Sequence, residues 1–304
     1  MRKWTAVLAA LALGLGLAAC GDDDDDAASG ETTATTEAGG GEPAECTGPA
    51  DAYATEVGDP ADFTPVADDT LTVVTSLPGP GFWEGSDDDP SALNGGFEYA
   101  IADAMREEFG LANLEVRNES FDAIVAGTVS DYDIALSQIS ITCERAEVVT
   151  FSMPYFESNQ GVLMKAGGSM TTLEEAKAAR WGVQTGTTAL DLLETIGVEQ
   201  EPSVYQQLPD AFTALEAGQV DAVLIDTAIS LGQAARSDGS LEVVAQFEQP
   251  GGPDQYSAIL PQDSDDVGAV NAVIQELKDS GELDRLATEN LTADPGGIPV
   301  IEVE

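Results

Sequence analysis

Arg145 and Asp226 are the two residues from which a binding chemistry can be argued. The chain of 304 residues holds 11 basic and 56 acidic side chains, for a formal net charge of -45. Cations are so scarce that one placed inside an apolar-patterned region carries information. Arg145 lies in the run Ser140-Ile141-Thr142-Cys143-Glu144-Arg145-Ala146, and its planar guanidinium suits two parallel hydrogen bonds to a carboxylate. Asp226 closes an apolar run over 220–225. On residue type alone the ordinary reading is favoured for each: a surface ion pair of Arg145 with Glu144 or Glu147, and a helix N-cap by Asp226 ahead of Thr227. Histidine is absent, which removes His-dependent triads. With no cysteine pair at ligand spacing, a zinc site goes too. The aspartates at 87–89 are followed by Pro90 and Ser91, where an EF-hand loop needs alternating ligands and a glycine, so they read as a solvated loop. No metal or cofactor is implied.

The elements that must position these residues follow from periodicity. From Thr70 onward short β-branched runs alternate with helical patterns, the signature of an α/β fold with largely parallel sheets. Strands are expected over 71–74, 114–116 and 134–136. Phe97, Ile101, Met105 and Phe109 fall at helical spacing ahead of Gly110, and a short helix is expected over 121–126. A second unit begins near Gly161. There Thr171 and Glu174 read as a capping box, 181–183 as a strand, and Thr187 as the N-cap of a helix stopped by Gly197. Pro209 opens another helix, closed by Gly218, before the strand that leads to Asp226. A strand over 256–260 and helices on Val267, Val270, Ile274 and Leu277, then Leu283 and Leu286, complete the pattern.

The N-terminus reads as a targeting device. Arg2 and Lys3 precede an apolar run over 6–17, long enough for a signal h-region and too short to span a bilayer. Leu17-Ala18-Ala19-Cys20 resembles the bacterial lipoprotein signal, in which small residues precede a cysteine that is acylated and becomes the new N-terminus. That resemblance implies a signal peptide over 1–19 and lipidation of Cys20. Residues 20–45 hold Asp, Thr, Ala, Glu and Gly with no large apolar side chain, a disordered tether with a reach of about 25 to 30 Å. The acidity argues against nucleic acid and against an electrostatic hold on anionic lipid, so the membrane link is expected to be the covalent lipid. With Cys20 lipidated, Cys46 and Cys143 remain in an oxidising compartment, and a disulfide between them is expected; a buried Cys143 thiol with a free Cys46 is the alternative.

From about Leu71 to Leu291 the order of motifs resembles the extracellular solute-binding proteins of polar amino-acid ABC importers. The most specific stretch is Ser140 to Ala146 followed by Phe151-Ser152-Met153-Pro154-Tyr155. Val183-Gln184-Thr185-Gly186-Thr187-Thr188 and Leu215 through Asp226 add to it. The resemblance implies a two-lobed type II periplasmic-binding-protein-like fold with two hinge-crossing strands, one lobe from 46–158 plus 256–304 and the other from 159–255. It implies an amino-acid-like ligand held between the lobes, an importer permease as partner, an extracytoplasmic and monomeric protein, and no enzymatic step. By the same resemblance Arg145 would take the ligand carboxylate, Ser140, Thr187 and Thr188 would add donors, and Asp226 would receive the ammonium. Phe82 or Trp83 with Phe121 would clasp the side chain, and Gln138 and Ile139 complete the expected set. Gln138 stands where a small residue is common, and Cys143 replaces the usual proline. A dehydratase acting on cyclohexadienyl acids and a ligand-sensing surface receptor are the competing readings of the same fold.

Overall fold

The computed structural model describes residues 46–86, 89–249, 251–292 and 297–303. The expected signal, lipidated cysteine and tether lie in 1–45, outside the described residues. Among the described residues no helix is long and apolar enough to cross a membrane.

The first sheet is built from β1 (Thr70–Thr75), β2 (Asn113–Asn118), β3 (Ile134–Ala135) and β4 (Val149–Phe151). β2 and β3 flank β1, both parallel to it. β1 is a run of Val, Leu and Thr buried almost throughout, as expected of a central strand covered on both faces. Helix α1 (Phe97–Glu108) lays Phe97, Ile101, Ala102 and Met105 on the core, the expected stripe at 3.6-residue spacing. The short α2 (Phe121–Val125) and the one-turn α3 (Cys143–Ala146) follow β2 and β3.

The chain then crosses to a second sheet. β5 (Phe156–Ser158) leads into β6 (Gln160–Lys165), and helix α4 (Leu173–Ala178) leads to β7 (Trp181–Gln184). Thr172 and Glu175 form a reciprocal cap on α4, one residue later than the expected Thr171 and Glu174, because Thr172 is the residue with extended backbone at the helix start. Next come α5 (Thr188–Ile196), β8 (Ser203–Tyr205), α6 (Leu208–Ala217), β9 (Ala222–Asp226), α7 (Thr227–Arg236) and β10 (Leu241–Glu248). β11 (Asp254–Tyr256) carries the chain back, antiparallel to β5, into β12 (Ile259–Pro261) between β3 and β4. The β5–β11 ribbon is the pair of crossing strands. Helices α8 (Val267–Asp279) and α9 (Glu282–Asn290) and strand β13 (Val300–Glu302) close the chain.

Two features differ from expectation. The sheets are mixed rather than largely parallel: β6 runs antiparallel to both β9 and β10, and β12 antiparallel to β3 and β4. These strands are entered from a crossing instead of from a helix on the sheet face, so they lack the βαβ geometry that imposes parallel pairing. The end of the chain also departs from the expected division, which put all of 256–304 with the first lobe. β13 pairs with β10 in the second sheet, and Ile301 and Val303 bury beside Ala245 and Phe247, which gives an otherwise exposed apolar pair a core to enter.

Cys46 and Cys143 form a disulfide. They lie 97 residues apart, and cross-linking a loop of that size restricts the unfolded chain by about 4 to 5 kcal/mol in the entropy model. The bridge fastens the first described residue to the first residue of α3, the turn that carries Arg145.

Candidate functional site

The carboxyl ends of strands from both sheets meet at one cleft, where open parallel segments leave room for a ligand. On the first-sheet side it is lined by the loop after β1, by Phe121 at the start of α2, and by Ser137, Gln138, Ser140 and Arg145 after β3. On the second-sheet side it is lined by Gln184, Thr187 and Thr188 between β7 and α5, by Leu208, and by Ile225, Asp226 and Ile229. The two sides touch. Arg145 Nη2 donates to Gly186 O at 2.9 Å, and Arg236 on α7 pairs with Glu84 of the β1–α1 loop at 2.8 Å. Gly232 permits the closest approach: a Cβ there would stand 2.9 Å from the backbone oxygen of Pro80.

Arg145 reaches the cleft from a turn capped by Thr142, whose hydroxyl accepts from Arg145 N at 3.2 Å. Its guanidinium is buried, with Nη1 donating to Ser140 O at 2.5 Å and its carbon 5.6 Å from the centre of the Phe121 ring. Both hydrogen bonds go to carbonyl oxygens, and no ion pair with Glu144 or Glu147 forms. Burial pushes its pKa down, while the carboxylates of Asp254, Asp191 and Asp226 oppose that shift. An arginine remains charged under either influence, so a buried cation with fork valence to spare faces the cleft.

Asp226 sits at the end of β9 and before α7, yet its side chain makes no capping bond. Its Oδ1 receives only a long 3.3 Å bond from Gln160 Nε2. The same amide gives its short 2.6 Å bond to Asp254, which also accepts from Gln249 at 3.1 Å and Thr188 at 3.3 Å. Asp254 is therefore well supplied with donors and Asp226 is not. Burial, then the like charge of Asp254, holds the Asp226 carboxyl well above the usual carboxylate range. The buried Tyr256 hydroxyl lies against it without a hydrogen bond of normal geometry, and burial and the Asp226 charge push that phenol up in turn. A buried, under-bonded carboxylate facing a cleft is a place for a cation.

Of the residues expected from sequence, Phe121, Gln138, Ser140, Arg145, Thr187, Thr188 and Asp226 line this one cleft. Phe82, Trp83 and Ile139 do not. Phe82 is fully buried, edge-on to Phe97, Phe156 and Tyr256. Trp83 turns inward to donate from Nε1 to Glu98 at 2.7 Å and to Leu136 O at 3.2 Å. Ile139 is core, offering only its carbonyl to Ser257 N. The correction has one cause: the loop after β1 folds back over α1, so its aromatics satisfy the first core, and Leu77 and Pro78 take the cleft wall instead.

Glu98 went unread in the sequence and organises this region. It is fully buried and accepts from Trp83 Nε1, from Gln138 N at 2.7 Å, from Gln138 Nε2 at 2.5 Å and from the Tyr155 hydroxyl. Burial raises its pKa against the pull of those four donors. The one available signal was a carboxylate beside Phe97 on the apolar face of α1. Asp254, Gln160, Ser76 and Ser137 stand outside every quoted motif.

Residues 85–293 match the model described as bacterial extracellular solute-binding proteins, family 3. The chain is 26% identical over 203 residues to the L-cystine-binding protein TcyJ of Escherichia coli K12, covering 66% of this chain and 75% of that one. A solved ancestral arginine-binding protein bound to glutamine is similar with a TM-score of 0.65 at 26% identity, over 74% of this chain and 98% of that one. An amino-acid ABC transporter substrate-binding protein from Streptococcus pneumoniae, bound to L-arginine, gives 0.65 at 28% identity, over 74% and 96%.

Proposed function

Because the chain belongs to the bacterial extracellular solute-binding proteins of family 3, we propose that it captures a free amino acid between two lobes and delivers it to an ABC importer. One observation carries this reading: a buried guanidinium from one side of the cleft and a buried, under-bonded carboxylate from the other line the same cavity. An amino acid brings a carboxylate and an ammonium, and a closed cleft that strips water from both must return a partner to each. Arg145 takes the carboxylate, with the Thr188 backbone at the start of α5 and the Ser140 region adding donors. Asp226 takes the ammonium. Phe121 supplies the apolar wall beside them and holds Arg145 on its face.

The reading is binding without turnover. Asp226, the carboxyl lining the cleft among the described residues, is committed in this reading to the ligand's positive charge. Residues 46–158, with 256–292, make the first lobe, and 159–255, with β13, the second; the β5–β11 ribbon is the hinge. The lipoprotein-like run ending at Cys20 supports export, cleavage after Ala19 and a lipid anchor, which would hold the cleft outside the membrane within reach of a permease.

A thermal-shift screen of the full chain across the proteinogenic amino acids tests this directly. At least one is expected to raise the melting temperature in a concentration-dependent way, as any ligand that binds the native state alone must. A flat profile for every amino acid, from protein that melts cooperatively, contradicts the reading.

A further inference from the structure

With Arg145 and Asp226 taken by the charges common to all amino acids, the rest of the lining decides which side chain is accepted. None of that remainder is charged. Its walls are Leu77, Pro78, Leu208 and Ile229, and its polar groups at the first-sheet end are Ser76, Ser137 and Gln138.

The Gln138 amide is fixed in one orientation. Its backbone is left-handed, at φ 51°, which turns both its own N and its side-chain Nε2 onto Glu98, at 2.7 and 2.5 Å. Glu98 also takes the protons of Trp83 Nε1, Gln138 N and the Tyr155 hydroxyl, and the amide nitrogen is the end it holds. The nitrogen end therefore belongs to Glu98, and Oε1 is the end offered to the cleft. Ser137 Oγ accepts from Ser76 N at 2.9 Å, which spends one of its lone pairs and leaves its O–H proton free to donate. The cleft thus presents a fixed acceptor with a hydroxyl donor close in sequence, between apolar walls and with no countercharge.

We infer that this cleft selects an amino acid with a neutral, hydrogen-bonding side chain, a carboxamide above all, and that Gln138 makes the choice with Glu98 as its positioning residue. This rests on the amino-acid-binding reading above and deepens it. A carboxamide gives its NH2 to Gln138 Oε1 and accepts from a serine hydroxyl. A guanidinium or ammonium side chain meets no free carboxylate there, since Glu98 lies behind Gln138 and already holds four donors. A second carboxylate meets no cation. A leucine side chain fits the walls but leaves the amide oxygen unpaired, and a site built for a hydrogen bond rejects the analogue that lacks it.

The test is calorimetry on the full chain with glutamine, asparagine, arginine, lysine, glutamate and leucine as probes, on wild type, Gln138→Leu and Glu98→Gln. For wild type, glutamine or asparagine is expected to bind at least about tenfold tighter than the other four. Gln138→Leu is expected to lower the ratio of carboxamide to leucine affinity about tenfold or more, because the acceptor is gone while both backbone charges keep their partners. Glu98→Gln frees the Gln138 amide to turn and is expected to lower the same ratio, a readout that a general loss of stability does not move. Tightest binding of arginine, lysine or glutamate by wild type overturns this inference while leaving the amino-acid reading in place, provided the affinity still depends on Arg145. Equal weakening of all ligands by Gln138→Leu also overturns it. No binding by any of the six overturns this inference, and a flat thermal-shift profile across all the proteinogenic amino acids overturns the reading beneath it as well. The wild-type panel decides even if a variant fails to fold.

Discussion

Arg145→Ala is expected to weaken amino-acid capture by about 3 to 5 kcal/mol, the cost of leaving one partner of a buried pair unmatched. That is roughly two to four decades in affinity. The ligand carboxylate would lose its cation beside the acidic groups of Asp254, Asp191, Asp226 and Glu144 that act on Arg145. A lysine at this position restores the charge but not the planar fork that reaches Ser140 O and Gly186 O together, so Arg145→Lys should recover only part of the loss. Calorimetric affinity decides it: an Arg145→Ala protein that binds as tightly as wild type removes the guanidinium from the site.

Asp226→Asn is expected to act in opposite directions on the two states of the protein. Burial and Asp254 raise the folded pKa of Asp226 above its ordinary value. Between the ordinary carboxylate range and that raised value, the folded chain therefore holds a proton that the unfolded chain has lost. Stability is full below this window and falls as pH climbs through it. An asparagine has no such proton to hold, so the ligand-free variant should melt at or above the wild-type temperature at neutral pH. It should lose the part of the pH dependence that Asp226 contributes, while Glu98, Asp133 and Asp191, also raised by burial, keep theirs. With ligand the sign reverses, because the ammonium favours the ionised carboxylate and expels the proton. Wild-type affinity should rise with pH across the same window, and calorimetry in buffers of different ionisation enthalpy should report proton release. In Asp226→Asn that release should vanish and affinity should drop by about 3 to 5 kcal/mol. A variant that binds normally, or a wild type whose affinity ignores pH from the acid range to neutrality, contradicts the role assigned to Asp226.

The cleft's charged pair was legible only through the order of the family's motifs, because on residue type alone a surface ion pair for Arg145 and a helix N-cap for Asp226 read better. Arg145 sits in the run Ser140 to Ala146, and Asp226 closes the apolar stretch that becomes β9; both motifs are contained within a few residues. Thr187 and Thr188 were legible for the same reason, as a helix start after a glycine. Phe82 and Trp83 were misplaced because an aromatic in a Gly/Pro-rich loop has no periodicity to say which way it points. Its direction is set by Glu98, 15 residues beyond Trp83, whose place on the core face of α1 reads in sequence as an error in the apolar stripe rather than as an acceptor for four donors. β6 and β10 carry apolar runs, but antiparallel pairing across 75 or more residues of chain leaves no local trace, and β13 finds its sheet only through Ile301 and Val303. The disulfide was reachable from cysteine count and compartment; that it sits on the turn bearing Arg145 was visible only from the motif around Cys143.

The most direct measurement is a crystal structure of the full exported domain with the best amino acid from the thermal screen bound. It is expected to show the ligand carboxylate within hydrogen-bond distance of the Arg145 guanidinium and its ammonium within the same distance of the Asp226 carboxylate, both inside the cleft between the two sheets. A ligand bound elsewhere, or one in this cleft that leaves either side chain without contact, contradicts the account.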